Sequence, residues 1–306
     1  FSSRRRHTRL LTVTGVQTCA LPILWTMSGG QLILAATPLG NVLDASPRLK
    51  QTLTEADLIA AEDTRKAKRL IQDLNLDIKA PIISFFEENE IEKIPELINK
   101  LKQGSKIVVI SDAGTPAISD PGFKLVKQAI TENISITVIP GPSAVLSALV
   151  LSGLPTDRFS FEGFIPRKGK ERSEILNNLN KESRTMIIFE SPRRTKETLE
   201  DIKEVVGEDR KIAVVREISK TYEEVIRGSV SELVDWANSN EVLGEITIVI
   251  EGVDSSKRNI VDEEAIKNVK DLIAKGMSFK DAVQQVSTQL GLSRRELYEA
   301  SLRLDL

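Results

Sequence analysis

Short apolar runs rich in Val and Ile recur along the chain: LILAAT (32–37), LIAAED (58–63), KIVVISD (106–112) and SITVIPG (135–141). Helix-compatible segments separate several of them, such as IPELINKLKQG (94–104) and FKLVKQAI (123–130). Continuous apolar strands alternating with helices predict a parallel sheet covered on both faces. A second set follows: FSFEGF (159–164), TMIIFES (185–191), KIAVVREI (211–218) and EITIVIEG (245–252), with helix-compatible SPRRTKETLEDIKEVVG (191–207) inside it. Gly and Pro interrupt the pattern at SGLPTDR (152–158), so two α/β domains are expected, over 27–151 and 152–253.

The remaining 254–306 reads as a linker and a small helical domain. After the polar VDSSKRN come EEAIKNVKDLIAKG, SFKDAVQQVSTQLG and SRRELYEASLRL. Ser278 with Asp281 and Ser293 with Glu296 have N-cap spacing, the second that of a full capping box, and Gly276 and Gly291 are suitable stops. Three short helices with tight turns resemble a helix-turn-helix module, serving RNA through Arg294 and Arg295, or folding, or dimerisation.

Polar and conformationally special residues gather just after the strands: TPLGN, EDTR, SDAGTP and PGPSA in the first half, ESPRR and REISK in the second. Open α/β sheets bind ligands at the carboxyl ends of their strands. Glycine there admits close backbone approach, proline fixes the loop, and Asp accepts hydrogen bonds from hydroxyl or amine groups. A small-molecule cleft is therefore expected. Each piece also has a plain structural use. Ser143 can be an N-cap, SDPG can start a helix with Asp120 at its head and Pro121 in its first position, and EDTRKAKRL can be a solvated helix face.

Composition narrows the chemistry. The first 26 residues hold four arginines, no acid, the only histidine (His7) and the only cysteine (Cys19). They are expected to be a non-native leader resembling translated adapter or vector DNA ahead of a start at Met27; the alternative is a transit peptide. From Met27 onward a His base, a Cys nucleophile, a thiolate zinc site and a disulfide framework are all excluded, and no metal is expected. Without the leader, 38 basic residues stand against 44 acidic ones, so nucleic-acid binding must use local patches. No run approaches the roughly 18 apolar residues of a membrane span. The dinucleotide fingerprint and the P-loop are both missing: TPLGNVLD has one glycine, and no GxxxxGK[ST] occurs.

Taken in order, ATPLGN, AEDTR, SDAGTPAISDPG, IPGPSA, SGLPTDRFSFEGFIPRK, ESPRR and REISKTYEE resemble the small-subunit ribosomal RNA methyltransferase I family, over about Gln31 to Gly252. The resemblance implies a two-domain tetrapyrrole-methylase fold of the α/β class with a C-terminal helical extension. It also implies S-adenosylmethionine (SAM) as cofactor and 2′-O-methylation of a cytidine in small-subunit ribosomal RNA. A cytoplasmic homodimer acting on RNA or the assembled small subunit, without a membrane, is the implied setting. Carried onto this chain, Thr37, Pro38 and Gly40, then Asp112, Ala113, Gly114 and Thr115, then Asp120 and Gly122, then Gly141, Pro142 and Ser143, would face SAM. Phe189 and Glu190 would meet it from the second domain. Three departures stand out: TPLGNVLDAS lacks the family's usual second glycine, Ala61 replaces a frequent cysteine, and Arg193 replaces a frequent histidine. Arginine is no base near neutral pH, so this position is read as a phosphate contact.

SAM brings an electrophilic methyl group, so the protein mainly aligns the transfer. For the base, Asp63, Glu217 and Lys220 are the candidates after strands, and the choice among them stays open. Lys220 serves only if burial or nearby charge depresses its pKa; the alternative is a Glu217–Lys220 surface ion pair. Three basic clusters suit an RNA backbone: RKAKR with Arg65 and Arg69, PRKGKER with Arg167, Lys168 and Lys170, and SPRR with Arg193 and Arg194. Phe85, Phe86, Phe159, Phe161 and Phe164 lie near them, and one of these rings could stack an unstacked base while most pack the core. Two other functions compete: small-molecule methylation on the same fold, and a ribosome-associated binder without turnover.

Overall fold

The computed structural model describes residues 29–253, 263–290 and 292–302, so the expected leader, most of the linker and Gly291 lie outside the described residues. Five strands, β1 (Gln31–Ala35), β2 (Leu58–Ala61), β3 (Ile82–Ser84), β4 (Lys106–Ile110) and β5 (Ser135–Ile139), form a sheet in the order β3-β2-β4-β1-β5. Every pairing in it is parallel. Alternate residues of each strand face opposite sides, and both sides are packed. On one side Ile33, Ile59, Val108 and Ile110 meet α1 (Pro47–Thr54) and α2 (Thr64–Asp73). On the other Leu32, Ala60, Ile107 and Val109 meet α3 (Glu90–Lys102) and α4 (Phe123–Thr131). Fully buried leucines such as Leu49, Leu53, Leu97 and Leu101 each contribute about 2 kcal/mol of burial free energy.

The second sheet runs β6-β7-β10-β8-β9, from β6 (Phe159–Phe164), β7 (Thr185–Glu190), β8 (Lys211–Arg216), β9 (Glu224–Ser229) and β10 (Ile246–Ile250). Only β6 and β7, joined through α6 (Lys170–Leu179), are parallel; the other three pairings are antiparallel. The alternation of strand and helix thus describes the first sheet and not the second. In the second, β8 returns directly into β9 without a helix, and β10 inserts between β7 and β8. Helices α6, α7 (Thr195–Val206) and α8 (Val230–Ser239) cover one face.

Helix α5 (Ala144–Ser152) covers the other. Its Val145, Ala148 and Leu149 pack on Ile187, Ala213, Val215 and Val249 of the second sheet. The boundary expected at 151–152 therefore falls at the end of a helix that follows the first sheet in sequence and packs on the second. Strands β3 and β9 escape the apolar-run reading because one has three residues and the other, EVIRGS, alternates with polar positions.

The tail folds as expected into α9 (Glu263–Ala274), α10 (Phe279–Leu290) and α11 (Arg294–Leu302), around a small core of Ala265, Val269, Ala282, Val283, Val286 and Leu297. Ser278 Oγ accepts the Asp281 N–H at 3.2 Å, and Ser293 Oγ accepts that of Glu296 at 3.4 Å. The reciprocal capping box is found at Ser229 and Glu232, heading α8. No described helix is long and apolar enough to cross a membrane.

Candidate active site

The loops after β1, β2 and β4 face the ends of β7 and β10 across a cavity of about 400 Å³. From the first half it takes Leu39, Glu62, Lys66, the segment 112–115, the segment 118–120 and the start of α5 at 143–145. From the second it takes Phe164, Phe189, Glu190, Ser191, Pro192 and the segment 244–247. Of the residues expected to face a cofactor, Asp112, Ala113, Gly114, Thr115, Asp120, Ser143, Phe189 and Glu190 line it.

Six others do not. Thr37 is buried behind the wall, where its backbone pairs both ways with Gly114 (2.8 and 3.0 Å) and its hydroxyl donates to the Ser111 carbonyl at 3.3 Å. Pro38 is buried beside it. Pro142 accepts the Thr115 hydroxyl on its carbonyl at 3.2 Å, and a Cβ on Gly141 would lie 3.0 Å from Ala36 Cβ. Gly40 packs on the Lys220 stem, which a Cβ would meet at 2.2 Å. Gly122, at φ 133°, is the N-cap of α4, with its N–H on Glu90 Oε1 at 3.0 Å. These residues build the wall or join the halves, because close backbone approach is needed behind a loop as well as in front of it.

A chain of carboxylates crosses the first half of the cavity. Asp112 accepts the Asp63 N–H (3.0 Å) on one oxygen and the Lys66 ammonium (2.7 Å) on the other, and donates its own N–H to Glu62 at 3.1 Å. Burial raises the Glu62 carboxyl above its ordinary value, a rise that the Asp112 N–H opposes and the Asp112 charge assists. Asp120 rises further, to about 7: burial does most, the Glu62 charge adds to it, the Ser111 hydroxyl opposes it, and the Asp112 charge adds again. Glu190 is buried and satisfied by the Ser191 N–H (2.7 Å), the Thr198 hydroxyl (2.7 Å) and the Arg194 guanidinium (3.3 Å).

The three base candidates lie outside this cavity. Asp63 is the N-cap of α2, and the Arg65 guanidinium and backbone N–H hold its carboxyl far below the usual range. For Lys220, burial alone would lower the pKa, but hydrogen bonds and charge from Glu217 (2.9 Å) and Glu245 (3.2 Å) outweigh it and raise it. Glu217 is lowered: desolvation is overcome by the Glu245 backbone N–H and by Lys220. The ion-pair alternative is the one present. Its loop, with Glu217 and Ser219 at φ 51° and 64°, also latches the halves, since Ser219 Oγ donates to Asp44 at 2.5 Å.

Among the basic clusters, Arg65, Arg69, Arg167, Lys168, Lys170 and Arg193 are exposed. Arg194 is turned inward, donating to the Ile165 carbonyl at 2.7 Å and pairing with Glu190, so it is unavailable to RNA. Arg172 of PRKGKER is likewise buried against Asp201 and the Pro166 carbonyl. Nor does Asp120 head α4.

Sequence reasoning missed Glu62, Lys66, Ile118, Ser119, Phe164 and the segment 244–247 as cavity residues. Glu62 stood beside the chosen Asp63 in EDTR, where only burial separates them. The 244–247 segment leads into β10 and includes its first two residues, because β10 runs antiparallel; a search confined to the carboxyl ends of strands passes over it.

A two-sheet α/β protein with an acidic small-ligand cleft between its halves is the class these features define. The model of the family Tetrapyrrole (Corrin/Porphyrin) Methylases matches residues 31–234. The structure resembles uroporphyrin-III C-methyl transferase of Thermus thermophilus complexed with S-adenosyl homocysteine, with TM-score 0.52 and 16% identity over 73% of this chain and 97% of that one. Curated relatives are much more similar in sequence. The Ribosomal RNA small subunit methyltransferase I of Mycobacterium bovis is 45% identical over 278 residues, 90% of this chain and 96% of that protein. That of Halalkalibacterium halodurans is 41% identical over 88% of this chain and 93% of that protein. The chain belongs to the ribosomal RNA small subunit methyltransferase I family.

Proposed function

We propose that the chain transfers a methyl group from SAM to the ribose 2′-hydroxyl of a cytidine in small-subunit ribosomal RNA. Charge complementarity carries the reading: among the described residues, the cavity presents Glu62, Asp112, Glu190 and Glu245 against the single cation Lys66. Such a lining suits a ligand bearing a sulfonium and an ammonium, and about 400 Å³ lies in the range of small-ligand sites. When bound there, SAM supplies the electrophilic methyl group.

The chain's own residues do the holding. The 112–115 loop, braced by Thr37 and by the Pro142 carbonyl, offers backbone and carboxylate acceptors. Phe189, fixed edge-on between Phe161 (4.8 Å) and Phe164 (5.6 Å), closes the opposite wall and excludes water. Arg167, Lys168 and Arg193, on loops following β6 and β7, and Lys170, at the start of α6, position the RNA phosphates. A cytoplasmic homodimer is part of the same reading, by analogy with the family.

Calorimetric titration with SAM, followed by transfer of its labelled methyl group to small-subunit RNA, tests the proposal. Binding at the cavity, weakened about tenfold by Asp112→Ala through loss of one negative charge from the acidic lining, and label in RNA are expected. SAM binding with no label in any ribosomal RNA would overturn it in favour of a small-molecule acceptor or a binder without turnover.

A further inference from the structure

Resting on that reading, we propose that Asp120 accepts the proton of the ribose 2′-hydroxyl during transfer. In balance, the O2′–H proton passes to an Asp120 carboxylate oxygen, the O2′–methyl bond forms, and the methyl–sulfur bond breaks to leave a neutral thioether. The proton on Asp120 is then released to solvent.

Geometry singles this side chain out. SDPG is a sequence that ordinarily starts a helix, yet Asp120 does no capping here. The N-cap is Gly122, and the buried Glu90 carboxylate takes the N–H groups of Gly122 (3.0 Å) and Lys124 (3.1 Å) instead. Ala117 and Ser119 are both left-handed, at φ 70° and 60°, and the Ala117 N–H closes on the Pro121 carbonyl at 3.2 Å. A strained, tightly closed loop anchored by a buried carboxylate thus holds Asp120 in the cavity wall.

Among the described residues, the other carboxylates of the cavity are held by backbone N–H groups, hydroxyls or cations, Glu62 on one oxygen only. Both oxygens of Asp112 are taken, by the Asp63 N–H and the Lys66 ammonium. Glu62 accepts the Asp112 N–H, and Glu190 is held by Ser191, Thr198 and Arg194. Glu245 pairs with Lys220. Among the described residues no Lys or Arg forms an ion pair with Asp120, and Lys66 is held by Asp112. Facing Asp120 are the Glu62 and Asp112 charges and the Ser111 hydroxyl. Burial and the two like charges place its pKa at about 7, where a general base is most effective.

The test compares wild type with Asp120→Asn, which preserves shape and removes the base. In wild type, single-turnover transfer at saturating SAM and RNA is expected to rise with pH and level off above about 7. In Asp120→Asn it is expected to fall by about 10²–10⁴-fold and lose that pH dependence, while calorimetry shows SAM affinity within about threefold of wild type. Carbon-13 NMR of labelled aspartates in the free protein supplies a readout independent of activity. A carboxylate titrating near 7 and missing from the variant is expected.

Transfer in Asp120→Asn within about threefold of wild type, with the same pH profile, would overturn the proposal and leave the methyltransferase reading standing. Loss of SAM binding in the variant would overturn it by making Asp120 a cofactor-holding residue, as would a wild-type Asp120 signal titrating in the ordinary carboxylate range. A wild type that binds SAM and transfers nothing to RNA would overturn the underlying reading instead.

Discussion

Glu90 shows how much one buried carboxylate can organise. It is 3% exposed, lies at the start of α3, and reaches across to the two N–H groups that begin α4, with Lys124 Nζ at 3.3 Å. Glu90→Ala leaves those donors without their acceptor, and a loss of about 2–3 kcal/mol is expected in denaturant unfolding. Glu90→Gln, which keeps one acceptor oxygen, should lose less. Asp120 makes a prediction of opposite sign. Its carboxyl stays protonated in the folded chain up to about pH 7, against an ordinary value of 3.8. Between those values the folded state binds more protons than the unfolded one, so its contribution to stability declines as pH rises. Asp120→Asn should therefore raise Tm relative to wild type at pH 8, with the difference vanishing towards pH 4. Neither role was legible in the sequence, where Glu90 is one acid in EENEIEK and SDPG reads as a helix start. The first depends on which backbone N–H groups the fold brings to Glu90, the second on the burial and the carboxylates it gathers around Asp120.

Strand β6 places Phe164 through a single irregularity. Between Phe161 and Gly163 the register with β7 shifts, and Gly163 takes φ 68°. Without the extra residue, positions 161 and 164 would point to opposite faces. With it, both rings reach Phe189, and Phe164 remains 55% exposed at the cavity wall, ahead of the basic loop 166–170. Phe164→Ala is expected to raise KM for RNA by about tenfold, the worth of one base–aromatic stack, with a smaller loss of SAM affinity in calorimetry because the ring also lines the cavity. Replacing Arg167, Lys168, Lys170 or Arg193 by Ala should weaken RNA binding at all sequences and reduce the salt slope by about 0.7 each. The apolar runs located eight of the ten strands among the described residues, because most buried strands leave an uninterrupted Val- and Ile-rich signature. They could not tell parallel from antiparallel pairing in the second half. Nor could charge alone tell the exposed Arg193 from Arg194, which burial and an ion pair with Glu190 set apart.

At the scale of the molecule, the cavity exists only where two sheets meet. Helix α5 carries the chain from one to the other, and the Ser219–Asp44 bond and the Gly40–Lys220 packing tie the remaining loops together. The SDAGTP wall was legible because Gly, Pro and Asp stand together after an apolar strand. The partner wall at 244–247 was not, since its position depends on the direction of β10. The joined cavity is acidic within, and exposed basic residues follow its Phe164 and Pro192 in sequence, the combination that a cationic methyl donor and a polyanionic acceptor together require. Methyl transfer from labelled SAM, to small ribosomal subunits and to naked RNA from a strain lacking the enzyme, tests this most directly. The account predicts label in a nucleotide whose 3′ phosphodiester resists alkali, the signature of a 2′-O-methylated ribose. Label that alkali releases as an ordinary mononucleotide, or no label despite bound SAM, would contradict it.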